Sequence, residues 1–239
     1  MNKERDSDRL AEFLTDRRKE RMDRVLAHRT RAFTIVLENL YDPHNISAIL
    51  RSAEAFGVQD VHIIETEDHP FRLSHAVTRG CERWLTLHRY NTVAACVEAL
   101  RGAGYEVAVA DHRPDTPRID NLNFSARRAY WMGAEHAGVS EEARALADTS
   151  YLIPMNGFTE SLNVSVAAAI TLFTARTRWE AAGGQSGDLS ETESETVRLQ
   201  WMKNQLRQAD TILERRKNDP SPGSGRTESR PPNRIHDNR

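Results

Sequence analysis

The chain has two cysteines in 239 residues and almost no excess charge, with 33 Lys and Arg against 35 Asp and Glu for a net of −2. No apolar run approaches the roughly 18 residues that span a membrane. Cys81 and Cys96 match neither a metal-ligand spacing nor a disulfide framework, which predicts a reduced setting. Met1-Asn2-Lys3-Glu4-Arg5-Asp6 lacks the apolar core of a signal peptide, so a soluble cytoplasmic protein is expected. The near-neutral charge excludes the global basic field that announces many nucleic-acid binders. Familiar catalytic motifs are missing too: there is no GxxxxGK(S/T) loop, no GxSxG elbow, no HExxH and no pair of CxxC motifs. Arg101-Gly102-Ala103-Gly104 precedes a strand instead of following one, so it ends a helix and is not a dinucleotide fingerprint.

What charge there is lies segregated by segment. Between Arg17 and Arg31 seven Lys or Arg face only Glu20 and Asp23, and seven more from Arg215 to Arg239 face Asp219, Glu228 and Asp237. Asp188, Glu191, Glu193 and Glu195 form an acidic stretch between them. A phosphate-bearing partner fits this distribution, as does a solvated helix face with a disordered tail.

Apolar spacing predicts one or two amphipathic helices over residues 7–30. Short β-branched runs then alternate with helices: strands at 33–38, 61–65, 84–88, 105–110, 129–132 and 151–155, helices at 46–56, 92–100 and 141–146, and a long loop or irregular helix at 68–81. An Ala-rich helix follows, capped by Ser161. This order predicts an α/β fold with a mostly parallel sheet covered on both faces. Residues 181–187 have a linker composition, 192–217 read as one helix, and 220–239 read as disordered. The expected organisation is an arginine-rich helical extension (1–31), a core domain (32–180), a C-terminal helix (190–217) and a basic tail (218–239).

In parallel α/β sheets the loops after the strands converge on one edge, so polar residues there are site candidates. Three clusters qualify. Asn45, Ser47 and Arg51 follow the first strand; Gly133-x-Glu135-x-x-Gly138 follows the fifth; Ser161, Asn163 and Ser165 open the Ala-rich helix. Taken singly, Arg51 reads as a surface arginine and the glycine-flanked Glu135 as a tight turn before the next helix, while Ser161 is as readily a plain helix cap.

Together, Asp42-Pro43-His44-Asn45 through Gly57, Met132-Gly133-Ala134-Glu135 through Ser140, and Ile153-Pro154-Met155 through Ser165 resemble the three ordered motifs of the SpoU branch of the SPOUT RNA 2′-O-ribose methyltransferases. The resemblance runs from about residue 17 to 179 and is strongest to the tRNA-guanosine enzymes of that branch. It implies a C-terminal trefoil knot with N- and C-terminal helical extensions, and transfer of methyl from S-adenosylmethionine to a tRNA guanosine, foremost guanosine 18 of the D-loop. Ribosomal RNA or another tRNA position is the alternative, and a non-catalytic knotted RNA binder a further one. By the same resemblance, backbone at Ala110, Gly133, Ile153, Met155 and Leu162 holds the cofactor. Arg51 serves the ribose hydroxyl as base or positioner, Asn45 orients Arg51 and the substrate, and Glu135, Ser161 and Asn163 shape the pocket. Arg21, with Arg18 and Arg29, and more weakly Arg176 and Arg178, are the expected RNA contacts. A homodimer completes the site, without metal or membrane. Glu160, an acid beside Ser161, departs from the pattern and is expected to narrow or alter substrate choice.

Overall fold

The structure, a computed structural model, describes residues 5–65, 73–74, 78–113, 115–135 and 137–217. The tail expected from 218 onward and much of the loop expected at 68–81 lie outside the described residues. Two helices, α1 (Asp6–Ala11) and α2 (Asp16–Leu26), open the chain. Then come β1 (Phe33–Glu38), α3 (Pro43–Ala55), β2 (Asp60–Ile64), β3 (Thr86–Tyr90), α4 (Val93–Gly102) and β4 (Glu106–Ala110). β5 (Arg128–Met132), α5 (Glu141–Leu146), β6 (Thr149–Tyr151), α6 (Val164–Ala181), α7 (Glu191–Gln205) and α8 (Ala209–Lys217) follow.

The six strands form one sheet in the order β3-β2-β1-β5-β4-β6, with every neighbouring pair parallel. β1 and β5 are buried along their whole length, as strands sandwiched between helices should be. Ile35, Leu37, Ile49, Leu50 and Leu172 share the core under α3 and α6, while Val36, Val97, Leu100 and Trp131 share the core under α4.

The expected strand at 151–155 is shorter and earlier, because Leu152 leaves the sheet to bond the loop before β5. Its N–H donates to the Pro117 carbonyl at 2.9 Å and its carbonyl accepts from Ile119 N–H at 2.8 Å, and Pro154 then has no N–H to extend a ladder. The expected strand at 84–88 begins two residues late. Gly80 turns the chain at φ 79° into a 3₁₀ turn over Cys81–Trp84.

The terminal extensions pack as one layer. Leu10, Met22 and Leu26 from the N-terminal helices close a third core with Val197, Trp201, Met202 and Leu213. The expected single helix at 192–217 breaks at residues 206–208 into α7 and α8, which lets both reach α1. The expected linker is a fitted turn. A Cβ on Gly187 would lie 2.1 Å from the Ala27 carbonyl oxygen, and beside it Asp188 accepts from Thr30 Oγ1 and Arg31 N–H, each at 2.8 Å.

Candidate active site

α3 begins where β1 leaves the sheet. Asp42 caps it by accepting from His44 N–H at 2.8 Å, and Pro43 fits the first turn, where an N–H would lack a partner anyway. That geometry sets Asn45 on the first turn, buried, beside the turn that follows β5. From this turn the Glu135 carboxylate accepts from Tyr41 N–H at 3.4 Å, Asp42 N–H at 3.3 Å and Asn45 Nδ2 at 3.2 Å. These bonds join the turn after β5 to the residues that lead into α3.

Asn45 faces two ways. Its Nδ2 donates to Glu135, and its Oδ1 accepts from Asn163 Nδ2 at 3.0 Å. Asn163 in turn caps α6, its Oδ1 accepting from Ser165 N–H at 2.9 Å and from Ser165 Oγ at 2.6 Å. One polar chain, Glu135 to Asn45 to Asn163 to Ser165, therefore ties the three sequence clusters together. The helix cap is Asn163 and not Ser161, which lies exposed two residues before the cap.

The turn carrying Glu135 requires glycine at its base. A Cβ on Gly133 would lie 2.1 Å from Gly138 C and O and 2.2 Å from Val139 N, and Gly138 itself takes φ +68°. Behind the turn, buried Glu38 accepts from Trp131 Nε1 at 2.8 Å and Ser140 N–H at 3.2 Å, fixing β1 to the end of the turn. Gly133 follows β5, Ala110 ends β4, and Ile153 and Met155 follow β6. These three strands are neighbours, so the expected cofactor positions share one carboxyl edge. Leu162, half-buried, immediately precedes Asn163.

Arg51 lies exposed on α3, and among the described residues it has no hydrogen bond or ion pair. Asn45, expected to orient it, makes its hydrogen bonds among the described residues to Glu135 and Asn163, and none to Arg51. Sequence reasoning also missed Asp111, which follows β4 at the same edge. Its buried carboxylate accepts from His112 N–H at 2.9 Å and Arg113 Nε at 2.6 Å. Burial works against its charge, but the hydrogen bonds from Arg113 outweigh it and hold the carboxyl below the usual range. An acid directly after a strand was the available signal.

The expected RNA contacts divide. Arg29 is fully buried, donating to the Val58 carbonyl at 2.8 Å and to Glu54 Oε1 at 2.9 Å, so it is a core residue. Arg176 is likewise committed, to the carbonyls of Phe56 at 2.7 Å, His28 at 2.9 Å and Ser186 at 2.6 Å. Arg18 is half-buried beside Gln205, with its guanidinium 5.7 Å from the Trp84 ring. Arg21 and Arg178 are exposed. Among the described residues no group of His, Cys, Asp and Glu could hold a metal ion, and no helix is long and apolar enough to cross a membrane.

A family model described as the SpoU rRNA Methylase family matches residues 32–173. A protein of Borreliella burgdorferi named tRNA (guanosine(18)-2′-O)-methyltransferase is 34% identical over 196 residues, covering 81% of this chain and 88% of its own. Among solved structures, the A. aeolicus TrmH/SpoU tRNA modifying enzyme superposes with a TM-score of 0.74 at 26% identity, covering 80% of this chain and 98% of its own. The SpoU methyltransferase AviRb from Streptomyces viridochromogenes, in complex with the cofactor AdoMet, superposes with a TM-score of 0.52 at 26% identity over 65% and 60% of the two chains.

Proposed function

This chain belongs to the SpoU rRNA methylase family, and from that premise we propose that it methylates the ribose 2′-hydroxyl of guanosine 18 in tRNA, with S-adenosylmethionine as donor. The observation that carries the reading is the polar chain from Glu135 through Asn45 to Asn163, which assembles three separate motifs into one wall beside the Gly133 turn. The name of the Borreliella relative, which this chain matches over most of both lengths, supports the tRNA substrate.

The carboxyl edge suits the donor. Ala110, Gly133, Ile153, Met155 and Leu162 offer backbone with apolar or absent side chains, and a Cβ at Gly133 would fill the space of its turn. Such a surface reads adenine and ribose through backbone N–H and C=O groups, with the AdoMet complex of AviRb as a relative's precedent. S-adenosylmethionine supplies an electrophilic methyl group on a sulfonium. The protein's own task is then alignment and exclusion of water.

Arg51 meets the ribose and its phosphate from the exposed face of α3. A guanidinium gives up its proton only above a pKa of about 12. Arg51 therefore acts through charge, stabilising the 2′-oxygen while the RNA phosphate beside it takes the proton. Asn45 and Asn163 hold the wall rigid, and Glu135 fixes the start of α3. Ser161 and Glu160, exposed at the mouth, face the incoming strand, and Glu160 narrows the sequences accepted.

Arg21 and Arg178 supply phosphate contacts, with Arg18 as a partial one. A trefoil knot is supported by the backbone bonds of Leu152 to Pro117 and Ile119, which tie the segment after β6 to the loop before β5. A homodimer is supported by exposed Tyr41, next to the first motif in sequence, and exposed Met155, Phe158, Val166 and Phe173, in and after the third. Val166 and Phe173 lie seven residues apart, on one face of α6. A cytoplasmic location follows from a tRNA substrate. Incubation of the purified chain with labelled S-adenosylmethionine and tRNA lacking modifications tests the reading: saturable donor binding and label in tRNA are expected, and neither in the face of a folded protein would refute it.

A further inference from the structure

α2, the 3₁₀ turn ending at Trp84 and α7 enclose a cleft of about 130 Å³ that the methyl-transfer site does not use. Its walls are of three chemical kinds. Trp84 and Trp201 meet edge to face with ring centroids 5.6 Å apart. The Arg18 guanidinium lies 5.7 Å from the Trp84 centroid, and Arg21 stands at the rim. Glu54 brings a carboxylate held by the buried Arg29, whose Nη2 lies 2.9 Å from Oε1. Oε2 makes no hydrogen bond among the described residues, and the Glu54 side chain keeps 28% of its surface open.

Flat aromatic and guanidinium faces, cations at the rim and one carboxylate acceptor within are the complement of a nucleobase with its phosphate. Bases stack on indole and guanidinium planes, and a carboxylate accepts from ring and exocyclic N–H groups. Guanine fits best, because its Watson–Crick edge presents two adjacent N–H donors. The position along α3 supplies the link to catalysis. Glu54 is three residues beyond Arg51, on the neighbouring helix face and about 4.5 Å further along the axis, so a strand whose ribose lies at Arg51 brings an adjoining nucleotide to the cleft.

We propose that this cleft captures a guanine base flanking the methylated nucleotide, stacked at Trp84 and Arg18 and read by Glu54. The assignment rests on the RNA-methyltransferase reading above and adds a specificity subsite to it. Arg29 is a positioning residue here, aiming Glu54 without touching the base.

The test uses the full chain and unmodified tRNA transcripts in which each nucleotide flanking the methylated one is changed in turn between guanosine and adenosine. The wild type should lose about 10- to 100-fold in kcat/KM when the guanosine is lost, the range for a hydrogen bond to a charged group. Glu54→Gln, and Val25→Phe, which fills the cleft from α2, should both abolish that discrimination. If both fold as the wild type does and discriminate as it does, the subsite is refuted. A second arm needs no methyl transfer: a guanosine-rich single strand should quench tryptophan fluorescence more strongly than an adenosine-rich one, and Val25→Phe should remove the difference. Quenching without transfer to any RNA keeps the cleft and sinks the methyltransferase reading; transfer without selective quenching sinks the cleft alone.

Discussion

Replacing Arg29 with methionine separates a structural arginine from an RNA-binding one. Met keeps most of the aliphatic stem but removes the donors at 2.8 Å from the Val58 carbonyl and 2.9 Å from Glu54. The buried Val58 carbonyl loses a partner, at about 1–3 kcal/mol. The guanidinium 5.2 Å from the Trp201 ring also goes, worth about 1–2 kcal/mol when desolvated. Glu54 is partly open to water, so its lost ion pair adds little, and relief from burying a charge offsets part of the total. A net loss of about 3 kcal/mol is expected, which in a chain of this length lowers Tm by roughly 6–12 °C. The assay is thermal melting by circular dichroism beside tRNA filter binding at 25 °C across a salt series. Arg29→Met should melt early and bind tRNA with the wild-type salt slope. Arg21→Ala should melt normally, bind more weakly and lose about one unit of slope. An Arg29→Met protein with wild-type Tm and impaired tRNA binding would overturn the core assignment.

Gly133→Ala forces a Cβ to within 2.1 Å of Gly138 and should weaken S-adenosylmethionine binding at least tenfold by calorimetry. Gly102→Ala, with nothing within 4 Å of its Cβ, should leave binding unchanged. Asn45→Asp sets a second carboxylate where Nδ2 lies 3.2 Å from Glu135; kcat/KM should fall about a hundredfold at pH 8 and recover partly toward pH 6 as the pair shares a proton. His62, stacked on His88 at 4.7 Å, is held by burial, and secondarily by the charge on His88, to a pKa of about 4 against 6.5. Between those values the unfolded chain binds more protons. Urea-derived stability should therefore be complete above pH 6.5 and decline by about 3 kcal/mol toward pH 4, and His62→Gln should flatten that slope.

The alternation of strands and helices was legible because parallel strands buried on both faces must be apolar runs, as Phe33–Glu38 is. The three polar clusters were legible because a polar residue after such a strand lands on the carboxyl edge. How they connect was not. Nothing in residue type says that Asn45 bonds Asn163, 118 positions away, in preference to Arg51 on its own helix. Ser161 and Asn163 are both good caps, and the tertiary bond to Asn45 decides between them. Charge runs misled for a different reason. Arg29 lies in the basic stretch and Arg176 sits two residues before Arg178, yet both serve carbonyls near the end of α3, among them those of Phe56 and Val58. Helix ends leave such acceptors unpaired, and the turn at Gly57 is the cue that donors are needed there. The fit of the turn at Gly187 rests on its close approach to Ala27, distant in sequence, and leaves no local trace.

Mass-spectrometric mapping of methylated ribose in tRNA treated with the wild type and with Arg51→Ala bears most directly on the account. A single 2′-O-methyl at guanosine 18 is expected from the wild type, reduced at least a hundredfold in Arg51→Ala with Tm and S-adenosylmethionine affinity unchanged. Methylation of another RNA, or undiminished transfer by Arg51→Ala, would contradict it.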